Sequence, residues 1–201
     1  MGEGLALTVG KAPDFVVCGR VETAREAMEV IGRSIPDVVL ADLTLPDKSG
    51  LELIKDLQAQ YPDLPVLVLS MHDETLYAER ALRAGAKGYI MKQASPQTLL
   101  DAIRQVYQGE VYVSEKMVRR IITNVSGKDT GHRQLSVERL TDRQIEVLQL
   151  IGAGKNRKEI AEQLHLSPKT VAVHEADIKE RLGLASVREL VRYAVSWMEK
   201  R

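Results

Sequence analysis

Three short apolar runs of the chain end at side chains that could carry phosphoryl chemistry: Asp42, Ser70 and Lys92. The carboxyl ends of parallel strands form one crevice, so these residues would become neighbours in an α/β sheet. A carboxylate there can attack a phosphoryl group as a nucleophile, and a hydroxyl can donate to a phosphoryl oxygen. An ammonium can balance the added negative charge. The spacing therefore predicts a phosphoryl acceptor at Asp42.

The stretches around these runs alternate between strand and helix patterns, which predicts βα units around a parallel sheet. The predicted strands are Phe15–Cys18, Val38–Ala41, Val66–Ser70 and Gly88–Met91. The predicted helices begin after Thr23, after Ser49, near Thr75 and after Ser95. On this reading Cys18 is a buried thiol on a strand, and as the single cysteine it excludes an intrachain disulfide.

The segments VVLADLTLPDKSGLELI, VLVLSMHDE and AGAKGYIMKQAS resemble the receiver domain of bacterial two-component response regulators. The resemblance runs from about Gly4 to Gly109 and implies a flavodoxin-like parallel sheet. It implies one role for each of four side chains: phosphoryl acceptor Asp42, switch hydroxyl Ser70, switch aromatic Tyr89 and phosphate-pairing Lys92. It also implies a cognate histidine kinase as the phosphoryl donor and Mg²⁺ as the cofactor.

The first residues depart from that family pattern. Its central first strand, which ends in an acidic pair that holds Mg²⁺, has no recognisable counterpart. Leu5–Val9 is expected to be the end of a helix, with a hairpin strand as the alternative, because Gly10–Asp14 is too short for a parallel crossover. Mg²⁺ would keep only Asp42 and the Thr44 carbonyl, an incomplete site, so phosphorylation is expected to be slow or absent.

Three explanations of this departure are open. The sequence lacks N-terminal residues of an ordinary protein, the protein is a natural variant regulated without phosphate, or strand exchange in an oligomer closes the gap. Each explanation has to account for the hydrogen-bond partners that neighbouring strands lose without the central strand. Buried backbone groups without hydrogen bonds lower stability by about 1–3 kcal/mol apiece.

The pattern predicts three parts of the chain: a receiver at 1–110, a linker at 111–139 and a second domain at 140–201. Tyr112–Val125 could hold a short helix, whereas Ser126–Gly131 is polar and rich in flexible residues. Four helices are predicted beyond it, starting near Thr141, before Ile160, after Ser167 and at Ser186. A short helix, a tight turn and a longer helix form a helix-turn-helix, although a plain all-α bundle fits the geometry equally well.

LTDRQIEVLQLIGAGKNRKEIAEQLHLSPKTVAVHEADIKERLGLAS resembles the LuxR-type helix-turn-helix of the NarL/FixJ class of response regulators, from Leu140 to about Met198. The resemblance implies a homodimer on promoter DNA. It places Lys155, Arg157 and Lys158 near phosphates, and Lys169, Thr170, Val173 and His174 on the groove side of the reading helix. Glu175 and Asp177 stand where relatives often carry Lys or Arg and Asn, so weakened DNA binding is expected.

Charge and hydropathy agree with such a protein. Residues 1–110 hold 11 basic and 16 acidic side chains, whereas the remainder is mildly basic, as suits a module that meets a polyanion. No run approaches the ~18 apolar residues of a membrane span, so a cytoplasmic protein without a membrane partner is expected. The sequence predicts a non-enzymatic response regulator that controls transcription. The alternative is a regulator that acts through protein-protein interaction or mixed dimers, with little phosphorylation or DNA binding.

Overall fold

The computed structural model describes residues 2–125 and 137–199. The chain divides into two compact units, Met1–Asp129 and Thr130–Arg201. The polar stretch predicted at Ser126–Gly131 lies outside the described residues. None of the described helices is long and apolar enough to cross a bilayer.

The first unit is built on a parallel sheet with the strand order β1-β2-β3. Its strands are β1 Val39–Ala41, β2 Val66–Ser70 and β3 Gly88–Met91. Ala41 pairs with Val68, and Ser70 pairs with Met91, so all three carboxyl ends reach one edge of the sheet. Every residue of β2 is buried, as expected for a central parallel strand covered on both faces.

The described part of the first unit contains six helices. They are α1 Gly2–Gly10, α2 Ala24–Arg33, α3 Gly50–Gln60, α4 Glu74–Ala84, α5 Pro96–Tyr107 and α6 Glu115–Val125. The side chains of Thr23, Asp73 and Ser95 cap α2, α4 and α5 by accepting backbone N–H groups of the first turn. The bounds of α1 confirm the helix predicted at Leu5–Val9. Val9 packs in the apolar cluster formed by β2, β3 and α5.

The strand predicted at Phe15–Cys18 is wrong. These residues form no regular structure, Val16 is 90% exposed, and Cys18 is exposed rather than buried. β-Forming side chains become a strand only beside a ladder partner, and within the described residues β1 pairs with β2 alone. Phe15 still packs against the core, whereas the three residues that follow it are exposed.

The second unit is helical, as predicted. A 3₁₀ turn at Val137–Arg139 precedes α7 Asp142–Gly152, α8 Arg157–Gln163, α9 Pro168–Leu182 and α10 Val187–Glu199. Thr141, Asn156 and Ser167 cap α7, α8 and α9. The core consists of apolar side chains from all four helices, namely Ile145, Leu148, Ile160, Val171, Ile178, Leu190 and Trp197.

A buried polar group lies where α7 meets α9. Glu146 is 6% exposed and accepts from Arg143, with Nη1 and Oε2 2.6 Å apart. His174 of α9 is half-buried, and its Nδ1 has no hydrogen-bond partner within the described part of the chain. Burial, together with the charge of Arg143, lowers the pKa of His174, although Asp177 and Glu146 act in the opposite direction. The folded second unit therefore favours the neutral imidazole.

We expect Gly50→Ala to lower the free energy of unfolding by about 1–3 kcal/mol, measured by urea denaturation followed by circular dichroism. A Cβ at this position would overlap the Asp42 carbonyl oxygen and lie 2.6 Å from Leu43 Cα. These are backbone atoms that cannot turn aside, so the clash outweighs the roughly 1 kcal/mol that alanine gains in a helix. Gly10→Ala is the matched control, because nothing lies within 4 Å of its Cβ. Equal stability of the two variants would contradict the prediction.

Stability of the second unit should fall as the pH drops below 6.5, the ordinary pKa of histidine. The unfolded chain binds a proton there that folded His174 resists, so the contribution is complete above 6.5 and is lost as pH falls through the folded pKa. The slope for one proton cannot exceed about 1.4 kcal/mol per pH unit.

Fluorescence of Trp197, the single tryptophan of the chain, reports this transition during urea unfolding. His174→Asn should flatten the pH dependence, whereas the matched control His165→Asn should leave it unchanged, because His165 is exposed. An undiminished slope in His174→Asn would refute the assignment.

Candidate functional site

The carboxyl edge of the sheet brings together the three side chains that the sequence placed there. Asp42 follows β1, Ser70 ends β2 and Lys92 follows β3. Lys92 Nζ forms an ion pair with Asp42 Oδ2, and the two side chains are 18% and 30% exposed. The Thr44 N–H donates to the other carboxylate oxygen at 3.2 Å. These two contacts fix the orientation of the Asp42 carboxylate, which remains partly exposed at the carboxyl edge of the sheet.

Backbone contacts fix the loop that follows Asp42. The Gly50 N–H donates to the Leu43 carbonyl at 2.9 Å, and Thr44 forms an isolated antiparallel bridge with Ser49. The loop therefore closes on itself directly beside Asp42. Only a residue without a Cβ fits at position 50, so this glycine is a requirement of the site.

Asp47 ties the same loop to α2. Its carboxylate accepts from the N–H groups of Ala24 at 2.9 Å and Arg25 at 3.1 Å. Burial opposes the ionised form, but these two donors prevail and lower the pKa of Asp47. Sequence reasoning missed this contact, because the carboxylate and the helix it caps are far apart along the chain.

Ser70 and Tyr89 meet at the backbone of His72. Ser70 is fully buried, and its Oγ accepts from the His72 N–H at 3.0 Å. The Tyr89 hydroxyl donates to the His72 carbonyl at 2.7 Å. Burial raises the pKa of Tyr89, so the phenol stays protonated and remains a donor. The hydroxyl and the aromatic residue singled out from the sequence are therefore linked through the backbone of one residue, His72.

The His72 side chain is a further member of the site that sequence reasoning missed. Its Nε2 lies 3.0 Å from Thr44 Oγ1, and its ring packs against Tyr77 with centroids 4.9 Å apart. This contact connects the loops after β1 and β2 beside Asp42. The only available signal was position, two residues beyond Ser70.

The first turn of α4 is also bonded to the start of α6. The Ser114 hydroxyl donates to Glu74 Oε1 at 2.8 Å and accepts from the Met117 N–H at 3.2 Å. Met117 is completely buried. Helix α6 is therefore anchored to α4 just beyond the crevice.

The side chains described around Asp42 do not by themselves supply the ligand set of the Mg²⁺ site that the resemblance implies. Mg²⁺ needs several oxygen ligands in near-octahedral geometry. Among the side chains that the structure describes, no group of three or more His, Cys, Asp or Glu could hold a metal. The Asp42 carboxylate already has Lys92 and the Thr44 N–H as partners.

In the second unit, the side chains that the sequence singled out lie on α8 and α9, except for Lys155, which lies just before α8. Lys155, Arg157, Lys158, Lys169 and Val173 are exposed. Thr170 and His174 are half-buried. The Thr170 hydroxyl lies 2.8 Å from Ser167 Oγ, so it takes part in the cap of α9.

The expectation that Glu175 faces phosphates is wrong. Glu175 is 8% exposed, and its Oε2 lies 2.6 Å from Arg157 Nη2. It shares the buried face of α9 with Val171, Ile178 and Leu182, as residues three, four and seven apart do. Asp177 is partly buried and accepts from Gln144 Nε2 at 3.3 Å. The expected repulsion of DNA by Glu175 therefore loses its structural basis.

Two family models match the chain. Residues 3–104 match the response regulator receiver domain, and residues 138–194 match the luxR family of bacterial regulatory proteins. The oxygen regulatory protein NreC of Staphylococcus carnosus is 36% identical over 196 residues, covering 96% of this chain and 90% of that protein. NreC of Staphylococcus aureus strain MRSA252 is 38% identical over the same shares of both chains.

Solved structures agree with these matches. RcsB of Salmonella enterica serovar Typhimurium, bound to the promoter rprA with the phosphomimetic BeF₃⁻, aligns with a TM-score of 0.59 and 25% identity. That alignment covers 96% of this chain and 92% of RcsB. A LuxR-family response regulator from Aurantimonas sp. SI85-9A1 aligns with a TM-score of 0.57 and 28% identity, over 62% of this chain and 89% of its own. The chain belongs to the two-component response regulators that join a receiver to a LuxR-type DNA-binding domain and regulate transcription.

Proposed function

We propose that Asp42 is the phosphoryl acceptor through which this regulator is controlled. The ion pair between Lys92 and Asp42 carries the proposal, because it joins a nucleophilic carboxylate to the cation that its phosphorylated form needs.

In the transfer, an Asp42 oxygen forms a bond to phosphorus while the bond from phosphorus to the donor breaks, and the donor atom keeps the electron pair. The product is an acyl phosphate beside Lys92, whose ammonium offsets the added charge. Ser70 then turns its hydroxyl to donate to a phosphoryl oxygen and gives up the N–H of His72. The Tyr89 hydroxyl donates to the carbonyl of the same residue, so the rotation of Ser70 changes the surroundings of the phenol.

A cognate histidine kinase is the donor on this proposal. The incomplete set of metal ligands leaves Lys92 as the main compensation for charge, so transfer from a small donor is slow. We place the protein in the cytoplasm, where a histidine kinase and promoter DNA are both within reach.

Asp42→Asn should abolish phosphoryl uptake from acetyl phosphate, measured by phosphate-affinity electrophoresis of the full chain. The unmodified chain should take up label slowly and at one residue. Asp47→Asn is the matched control, because this carboxylate caps α2 in the same loop and should leave uptake intact. Label that persists in Asp42→Asn would refute the acceptor assignment.

For the output, we propose that the second unit binds promoter DNA through α8 and α9. Lys155, Arg157 and Lys158 contact phosphates, while the first two turns of α9 lie in the major groove with Lys169, Thr170, Val173 and His174 toward the bases. The exposure of the four cations supports the proposal. The working division is a receiver at 1–110, a linker at 111–139 and a DNA-binding domain at 140–201.

Dimers are part of the same proposal. RcsB, a structural relative with a TM-score of 0.55 and 26% identity, forms dimers bound to DNA. Two copies of a helix-turn-helix read paired half-sites, so a homodimer of this chain would bind a two-fold symmetric operator.

Lys169→Ala should weaken binding to a short DNA duplex and reduce the steepness of log K against log salt by about 0.9, the value for one phosphate contact. Fluorescence anisotropy of a labelled duplex at several salt concentrations measures both quantities. Lys55→Ala removes the same charge from an exposed position on α3 and serves as the control. If both variants behave alike, Lys169 contributes only net charge.

A further inference from the structure

Arg157 occupies an electrostatically unfavourable place. It is the first residue of α8, where the partial positive charge of the helix N-terminus opposes a cation. A cation held here needs a compensating anion, and Glu175 of α9 supplies it.

The contact between Arg157 and Glu175 is two-pronged. Nη2 lies 2.6 Å from Oε2, and Nε lies 3.4 Å from Oε1. A planar guanidinium bound along one side by a carboxylate has a fixed direction, which a single contact would not impose. The pair also raises the pKa of Arg157, so the guanidinium stays charged.

Burial of the pair is asymmetric. The Glu175 side chain is 10% exposed, whereas the Arg157 side chain is 48% exposed. Within the described residues Nη1 makes no hydrogen bond. The carboxylate therefore lies inside the α8–α9 seam, and the unoccupied side of the guanidinium faces solvent near Lys155 and Lys158.

We propose that Glu175 is a positioning residue that holds Arg157 so that its outer N–H groups bind a DNA backbone phosphate. The inference rests on the DNA-contact function proposed above and deepens it. An acid on the recognition helix then favours binding, because its charge is neutralised by Arg157 while its oxygens fix the geometry.

Two other roles for Glu175 lead to different results. If the carboxylate merely repels DNA, its removal tightens binding. If the pair only joins α8 to α9, its removal lowers the unfolding temperature without changing the number of phosphate contacts. The sign of the affinity change and the salt dependence therefore separate all three.

The test compares Glu175→Gln, Arg157→Ala and the double variant with the unmodified full chain, using anisotropy of a labelled duplex of arbitrary sequence at several salt concentrations. Glu175→Gln should weaken binding roughly two- to tenfold, the cost of ordering one long side chain at the interface. Arg157→Ala should reduce the salt slope by about 0.9. In the double variant Glu175→Gln should no longer weaken binding and should instead tighten it slightly, because without Arg157 the carboxylate is an anion that no described cation neutralises.

Glu180→Gln is the matched control, since it removes an exposed carboxylate from the same helix and should tighten binding slightly. Tighter binding by Glu175→Gln would overturn the inference while leaving DNA contact intact, as would an unchanged salt slope in Arg157→Ala. Salt-insensitive or undetectable binding by the unmodified chain would overturn the proposed DNA-contact face and the inference with it. Thermal unfolding of each variant, followed by Trp197 fluorescence, identifies a purely structural loss.

Discussion

The first unit depends on the ion pair between Lys92 and Asp42. An ammonium and a carboxylate that are both partly buried favour each other only where the parallel register of β1, β2 and β3 places their strand ends side by side. The loop after β1 must also close tightly, which explains the glycine at position 50. The strand register, the tight turn and the ion pair thus depend on one another at one edge of the sheet. The strand-end side chains singled out from the sequence lie at the same edge.

Much of the first unit was predictable, because apolar runs and capping residues are local signals. The predicted strands at β1, β2 and β3 are present, and they bring together the four side chains singled out in this unit, namely Asp42, Ser70, Tyr89 and Lys92. The failure at Phe15–Cys18 is physical: a strand exists through its partner, and β propensity cannot reveal whether a partner is present. Contacts that join distant loops were equally beyond local reasoning, as Asp47 shows.

In the second unit, the orientation of the acidic side chains on α9 differs from what their number suggests. Counting acids along α9 suggested repulsion of DNA, yet Glu175 lies on the buried face with Val171 and Ile178. Helical spacing alone could have shown this, since residues four and seven positions apart share a face. What spacing could not show is the partner, because Arg157 comes from another helix. The direction of a charged side chain decides its effect more than its sign does.

The bond between Ser114 and Glu74 has a consequence for control. Glu74 follows Ser70 by one short stretch of chain, and that stretch contains both His72 contacts. The same segment thus borders Asp42 at one end and contacts α6, the last described helix of the first unit, at the other. Any free energy of coupling through this segment is reciprocal by thermodynamic necessity. If phosphorylation of Asp42 changes the affinity of α6 for a macromolecule by some factor, binding of that macromolecule changes the stability of the acyl phosphate by the same factor.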